Sequence, residues 1–244
     1  MILRSSYFML RRMFRNYIGM AVLLLLPISL ITVLGFIADG AVSEPLGIPM
    51  KDEVAATMML AFLLFGGFLT MEYVKEDVMS SMKWRMYSLP YHSHKHAYSI
   101  LITSALFNML QSFLIVIYTL FVYDVNWGNL AFILLTLLMV STVVQFIFIN
   151  FVLAVKNYKT AERLGTGFGL ACLMVSEVWF PLPEGAFYQL LSTYSNPFAL
   201  GRNMIYATMT GGNIDKAIIS FIILLAAAIV LAISGAYFGR RKLV

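Results

Sequence analysis

Leu130–Val155 reads LAFILLTLLMVSTVVQFIFINFVLAV, a long run without one charged side chain. A helix rises 1.5 Å per residue, so about 20 such residues cross roughly 30 Å of hydrocarbon. The run shows no strand-like alternation, which argues against a barrel wall. A helix also satisfies each backbone group internally, as lipid demands. Five further apolar runs resemble it, at about Tyr17–Ala38, Val54–Met71, Ala97–Val122, Leu164–Phe180 and Ala217–Phe238. None of the six contains Lys or Arg, and Glu177, near the end of the fifth, is their single charge.

The whole chain agrees with this membrane reading. Its 244 residues are 61% hydrophobic and 12% charged, against about 45–50% and about 25% in soluble domains. If the N-terminus lies inside, the inner segments carry Arg4, Arg11, Arg12, Arg15, Lys75, Lys83, Arg85, Lys95, Lys156, Lys159, Arg163, Arg240, Arg241 and Lys242. Only Lys51, Arg202 and Lys216 fall outside. Basic residues favour the cytoplasmic side, so this distribution predicts six spans with both ends inside. The net charge of +5 then follows from topology and does not imply a nucleic-acid partner. The first run is longer than a signal-peptide core and lacks a small-residue cleavage site. The single cysteine, Cys172, excludes a disulfide framework within one chain.

Residues 1–16 predict a helix lying at the membrane surface. At 100° per residue, Arg4, Arg11, Arg12 and Arg15 share an arc of about 100°. Ile2, Leu3, Tyr7, Met9, Leu10, Met13 and Phe14 lie opposite, an arrangement suited to acyl chains on one side and anionic headgroups on the other. Pro27 should kink the first span. Gly165 and Gly169 form a G-x-x-x-G that permits close helix contact. Before the sixth span, Pro181, Pro183 and Gly185 and then Ser195-Asn196-Pro197 interrupt two apolar segments. They predict two short helices that dip into, or lie on, the outer leaflet.

Glu72–His96 is the main polar island between spans. Val74, Val78, Met82 and Met86 recur every four residues, and Lys75, Glu76, Asp77, Ser80, Ser81, Lys83 and Arg85 fill the other faces. Leu89-Pro90 stops the helix, because proline disfavours helix in the residue before it. This pattern predicts a cytoplasmic helix offering a charged, Met-rich face to a partner, or else a solvated loop. His92, His94 and His96 form H-x-H-x-H, but alternate residues of a helix point about 200° apart and do not converge on a metal. Glu177 is a gate or pathway candidate as an intramembrane acid. Asn196 and Pro197, at the break between the two short helices, join it as a possible outer gate or substrate path. No G-x-x-x-x-G-K-[ST] occurs, and no nucleophile and base pair up along the chain. Enzymatic chemistry and a bound cofactor are therefore not expected.

The chain resembles an ABC-2-type exporter permease. The resemblance rests on the six-span layout, the basic N-terminal helix, Glu72 at the inner end of span two, the helix closed by Pro90, and the broken segment before span six. It covers nearly the whole chain as one transmembrane domain over 1–244. The family frame of Glu-Arg-Glu followed by glycine is absent; here Glu72 is followed by Tyr-Val-Lys-Glu-Asp-Val. The resemblance implies an all-α integral membrane protein with a coupling helix between spans two and three. It implies docking of Glu72, Lys75, Glu76, Asp77, Val78, Met82, Lys83, Trp84 and Arg85 on an ABC ATP-binding subunit, which holds ATP and Mg. It also implies a second permease, identical or paralogous, in a bacterial plasma membrane. The cargo implied is a hydrophobic or amphipathic drug, antimicrobial peptide or lipid-like antibiotic. Polysaccharide or glycolipid export, and a non-transporting sensor or assembly role, are the alternatives.

Overall fold

The structure is a computed structural model that describes residues 2–43, 47–78, 93–178 and 182–242. Its regular elements are helices and one small hairpin. Helices α1 (Ile2–Arg15) and α2 (Tyr17–Ile37) come first, then strands β1 (Val42–Ser43) and β2 (Ile48–Pro49), which pair antiparallel. There follow α3 (Met50–Phe65), α4 (Gly67–Val78), α5 (Ser93–Tyr123), α6 (Leu130–Ala154) and α7 (Tyr158–Val175). The last three are α8 (Ala186–Tyr194), α9 (Pro197–Thr210) and α10 (Ile214–Lys242).

Among the described residues, four stretches are long and apolar enough to cross a membrane: Met50–Asp77, Ser99–Tyr123, Leu130–Ala154 and Ile214–Gly239. Ala21–Ile37 is a shorter apolar helix. The chain is a multi-pass membrane protein. The second expected span, placed over Val54–Met71, continues as helix to Val78 beyond a break at Gly66. The fifth, expected over Leu164–Phe180, is helical only to Val175, and the chain then turns at Ser176 and Glu177, the latter at φ +58°. The apolar part Leu164–Val175 is therefore about 18 Å long, shorter than the hydrocarbon.

Helix ends and interruptions find local partners. Asn129 caps α6 through Ala131 and Phe132, and Asn157 caps α7 through Lys159. Pro27 lacks the N–H that would bond the Leu23 carbonyl four residues back. The Gln111 side chain of α5 donates to that carbonyl at 2.6 Å, so α2 runs on through the proline. Asn150 of α6 donates to Leu231 O at 3.0 Å and accepts from Ser234 Oγ at 2.9 Å, tying α6 to α10.

The two short helices before α10 form as the sequence predicts, and α9 penetrates the bundle. Phe198, Leu200, Met204 and Ile205 are buried, enclosed by α3, α6 and α10. A Cβ on Gly201 would stand 2.8 Å from Val140 and 3.0 Å from Leu60. Each of those two residues lies ten positions into its helix, about 15 Å from the end that carries the hairpin. The other end of α9 returns to that surface, where Thr208 O leaves no room for a Cβ on Gly128, itself at φ +66°. Thus α9 runs from within the bundle back to the hairpin end. Helix α8, which precedes it, is largely exposed, Phe187 at 69% and Leu190 at 64%.

Helix α4 packs closely on α6. A Cβ on Gly67 would fall 2.5 Å from the ring of the fully buried Phe148, whereas one on Gly167 would meet nothing within 4 Å. Gly67→Ala should therefore destabilise the protein by about 1–3 kcal/mol through overpacking. Gly167→Ala should be neutral or gain up to about 1 kcal/mol of helix propensity. Thermal unfolding of the two variants in one detergent checks the contrast.

Candidate functional site

Two polar assemblies stand out, one at the α4 end of the bundle and one within it. The first is built on the last turns of α4. Helical spacing turns Val74 and Tyr73 inward, where both are buried, and leaves Glu72, Lys75 and Glu76 exposed. Asp77 is the exception, a carboxylate only 7% exposed. Arg12 of α1 donates to Asp77 Oδ1 at 2.9 Å and also pairs with Glu76. Its guanidinium stands 5.3 Å from the centroid of the Tyr73 ring. Partial burial works against its charge, but the Asp77 and Glu76 carboxylates more than offset this and raise its pKa. Nearby, Lys75 Nζ lies 4.1 Å from the centroid of the Tyr158 ring at the start of α7. The end of α4 is thus held to both α1 and α7.

The expected N-terminal helix forms over Ile2–Arg15, and one side of it packs on the bundle. Helix α1 lies along α5, with Met9 and Met13 buried and Ser6 Oγ 3.2 Å from Ser99 Oγ. Its apolar arc is therefore divided: Met9 and Met13 face protein, while Tyr7 and Phe14 remain exposed. Arg12 faces carboxylates of the same chain instead of headgroups. It stands at the edge of the arginine arc nearest Met9, the sequence signal that could have separated it from Arg11 and Arg15. Between α1, α2 and α5 an apolar groove is lined by Phe14, Tyr17, Leu24, Phe107 and Leu110.

Of the expected docking residues, the structure brings Glu76 and Asp77 together on Arg12, sets Lys75 against Tyr158, and leaves Glu72 exposed. Val78 ends α4, and its side chain is outside the described residues, as are Met82, Lys83, Trp84 and Arg85. His94 and His96 occupy the first turn of α5, at helix positions about 200° apart; His92 is outside the described residues.

The second assembly is at the break between α8 and α9. Asn196 is buried and caps α9, its Oδ1 accepting from Ala199 N at 2.9 Å. Its Nδ2 lies 3.0 Å from the Oγ of buried Ser176, at the end of α7. Pro197, also buried, takes the first position of α9, where its missing N–H costs no bond. Arg202 donates to Ser176 O at 2.5 Å. One turn further on, Tyr206 donates to Glu53 Oε1 of α3 at 3.2 Å. Of the three expected gate residues, Asn196 and Pro197 are joined to the end of α7 through Ser176, while Glu177 is exposed beside it. Sequence reasoning misses Ser176 and Arg202. Arg202 lies among apolar residues of the second expected short helix, and as a basic residue on the outer side it reads as a marker of topology until the depth of Gly201 is known.

A family model described as ABC-2 type transporter matches residues 5–210, and the chain belongs to that family. The match covers both assemblies. No curated protein and no solved structure matches the chain. The family is a membrane component of transport and normally works with an ABC ATP-binding subunit.

Two outcomes follow from this geometry. Arg12→Gln and Asp77→Asn should each raise amide hydrogen exchange across residues 2–15, and the double variant should add little to either. Equal rates in all four proteins would show that α1 does not depend on the pair. Asn196→Ala removes a helix cap and a buried partner of Ser176, and should cost about 1–2 kcal/mol in thermal unfolding.

Proposed function

We propose that this ABC-2 family member is the permease subunit of an ATP-driven exporter, energised by a separate ATP-binding subunit. Two permeases, identical or paralogous, pair in the plasma membrane of a bacterium. Six crossings place α1 and the end of α4 in the cytoplasm and the hairpin and the α8–α9 pair outside. The distribution of Lys and Arg supports this orientation, with 14 of the 17 on the inner side. ATP and Mg belong to the partner, since the sequence has no phosphate-binding loop.

The observation that carries the reading is the attachment of α1 and α7 to the end of α4, immediately before the segment that contains Met82 and Trp84. A push delivered there by an ATP-binding subunit acts on a helix end already joined to its neighbours by Arg12 and Lys75. It therefore moves α1, α4 and α7 together instead of bending a free loop. Helix α4 continues into α3, whose far half packs on α9, so the motion reaches the outer assembly through packed helices. Glu72, exposed on α4, and Lys83 and Arg85 beyond it complete the proposed docking face. Glu177, Asn196 and Pro197 form part of the proposed outer gate.

The cargo proposed is hydrophobic or amphipathic. The apolar groove beside Phe14 and Phe107 and the exposed Phe187 and Leu190 of α8 support an amphiphile over a bare sugar chain. Co-reconstitution with an ABC ATP-binding protein sought among the neighbouring reading frames tests the coupling. The permease should change the ATPase rate, and the double variant Met82→Asp with Trp84→Asp should abolish that change by burying charge in an apolar contact. An ATPase rate indifferent to the double variant would refute the coupling role. A chain that binds no ATPase and moves no amphiphile would favour the sensor or assembly reading.

A further inference from the structure

Arg202 is a cation set inside the bundle, with no carboxylate partner among the described residues. It follows Gly201, whose contacts with Leu60 and Val140 put this turn of α9 about 15 Å from the hairpin-end starts of α3 and α6. Its neighbour Asn203 is bonded to Thr193 O at 2.8 Å and Ser220 Oγ at 3.1 Å, which holds this part of α9 in place. Among the described residues, the ion pairs within 4 Å are those of Arg12 with Glu76 and Asp77. Glu53, the acid on the facing helix, accepts from Tyr206 instead.

A guanidinium presents five N–H donors in a planar fork that matches carboxylate and phosphate. One of the five is taken by Ser176 O at 2.5 Å. Arg202 is only partly buried, so the fork remains reachable. A charged residue within a membrane is costly, and its usual settings are a charge partner, a backbone carbonyl or a water-filled path. Here the carbonyl uses one donor, and Arg202 makes no ion pair within 4 Å among the described residues, Glu53 being bonded to Tyr206 one turn along. Helix α8, joined to this turn of α9 through Thr193 O and Asn203, carries the exposed Phe187 and Leu190 earlier along its length. An anionic oxygen headgroup answers the charge, and an aliphatic tail suits the exposed apolar side chains of α8.

The geometry points to Arg202 as the binding residue for the anionic headgroup, phosphate or carboxylate, of an amphiphile seated between α7, α8 and α9. Ser176 is a positioning residue, since its carbonyl fixes the guanidinium. The reading deepens the exporter proposal and takes the outer location of the site from it. The headgroup belongs either to a bilayer phospholipid or to a mobile amphiphile of the kind proposed as cargo. A neutral sugar chain or a cationic drug gains nothing from this charge.

Phenylglyoxal labelling tests the site in the unmodified full chain, with modification at Arg202 and at exposed Arg163 followed by peptide mass spectrometry. In phosphatidylcholine nanodiscs, dodecyl phosphate at four times its dissociation constant should slow labelling of Arg202 about fivefold and leave Arg163 unchanged. Dodecyltrimethylammonium should protect neither. If phosphatidylglycerol in the nanodisc protects Arg202 by itself, the headgroup is that of a resident lipid; protection by dodecyl phosphate alone identifies a mobile amphiphile. Arg202→Gln should weaken dodecyl phosphate binding about tenfold, and Arg202→Lys, which keeps the charge, should weaken it less. Unchanged labelling under dodecyl phosphate, or equal protection by the cationic amphiphile, overturns the proposal. The assay requires no ATP-binding subunit, so its failure is distinct from failure of the coupling role.

Discussion

Inside lipid, a backbone amide or carbonyl has no water to turn to, and this constraint governs the fold. It makes the crossings helical and requires a side chain at each place where a helix is interrupted. Gln111 reaches across from α5 to the Leu23 carbonyl released by Pro27. Asn196 caps α9 below the surface and meets Ser176, while the Ser176 carbonyl receives Arg202. Asn150 takes a further carbonyl, that of Leu231, on a neighbouring helix. These polar residues within the apolar runs are therefore attached to particular breaks and contacts. Removing one exposes a backbone or side-chain group that the hydrocarbon cannot satisfy.

The break at Gly66 is different. Gly66 N still bonds to Phe62 O at 2.9 Å, the ordinary four-residue helical bond, so α3 passes to α4 with little change of direction in the chain. The Asn108 amide lies against Gly66, and Thr70 donates to Gln145 one turn later. Yet Asn108 Nδ2 and Gln145 Nε2 have no hydrogen-bond partner among the described residues, and neither do Ser104 Oγ and Ser141 Oγ. Asn108 and Gln145 each stand about four helical turns from the hairpin-side ends of α5 and α6, as Gly66 does from the start of α3. Both amides are therefore at the depth of the break. The polar groups around the joint are under-satisfied, in contrast to those around Pro27 and Asn196.

Much of the architecture is legible in the sequence because hydropathy responds to one strong term. Leu130–Val155, Ala97–Val122 and Ala217–Phe238 correspond to α6, α5 and α10 within a few residues. The two short helices follow from Pro181, Gly185 and Pro197, whose backbone limits are local. Other features depend on contacts between distant segments. Within the fifth run the charge of Glu177 marks the place of the turn at Ser176, but its partner Asn196 belongs to a later segment. Arg12 reads as a headgroup ligand until Asp77, on a helix remote in sequence, supplies its carboxylate. Charge counting assigns Arg202 to the outer side, but it treats basic residues as markers of side and says nothing about depth.

The two arginines show why charge alone does not define a site in this protein. Arg12 and Arg202 are each partly buried, and each donates to a group on another element. Arg12 meets two carboxylates and a ring, so its charge is neutralised within the chain and its effect is attachment. Arg202 meets a carbonyl, which fixes its direction, and makes no ion pair within 4 Å among the described residues. A partly buried cation held in place without such a pair is prepared for an anion from outside the chain. Its position near the break between α8 and α9 puts that proposed anion where α7, α8 and α9 meet. Binding there changes the electrostatic cost of keeping α7 and α9 together, because the same guanidinium bonds Ser176 at the end of α7. Under that proposal, headgroup recognition and the packing of α7 on α9 are linked through one side chain, away from the Arg12 attachment.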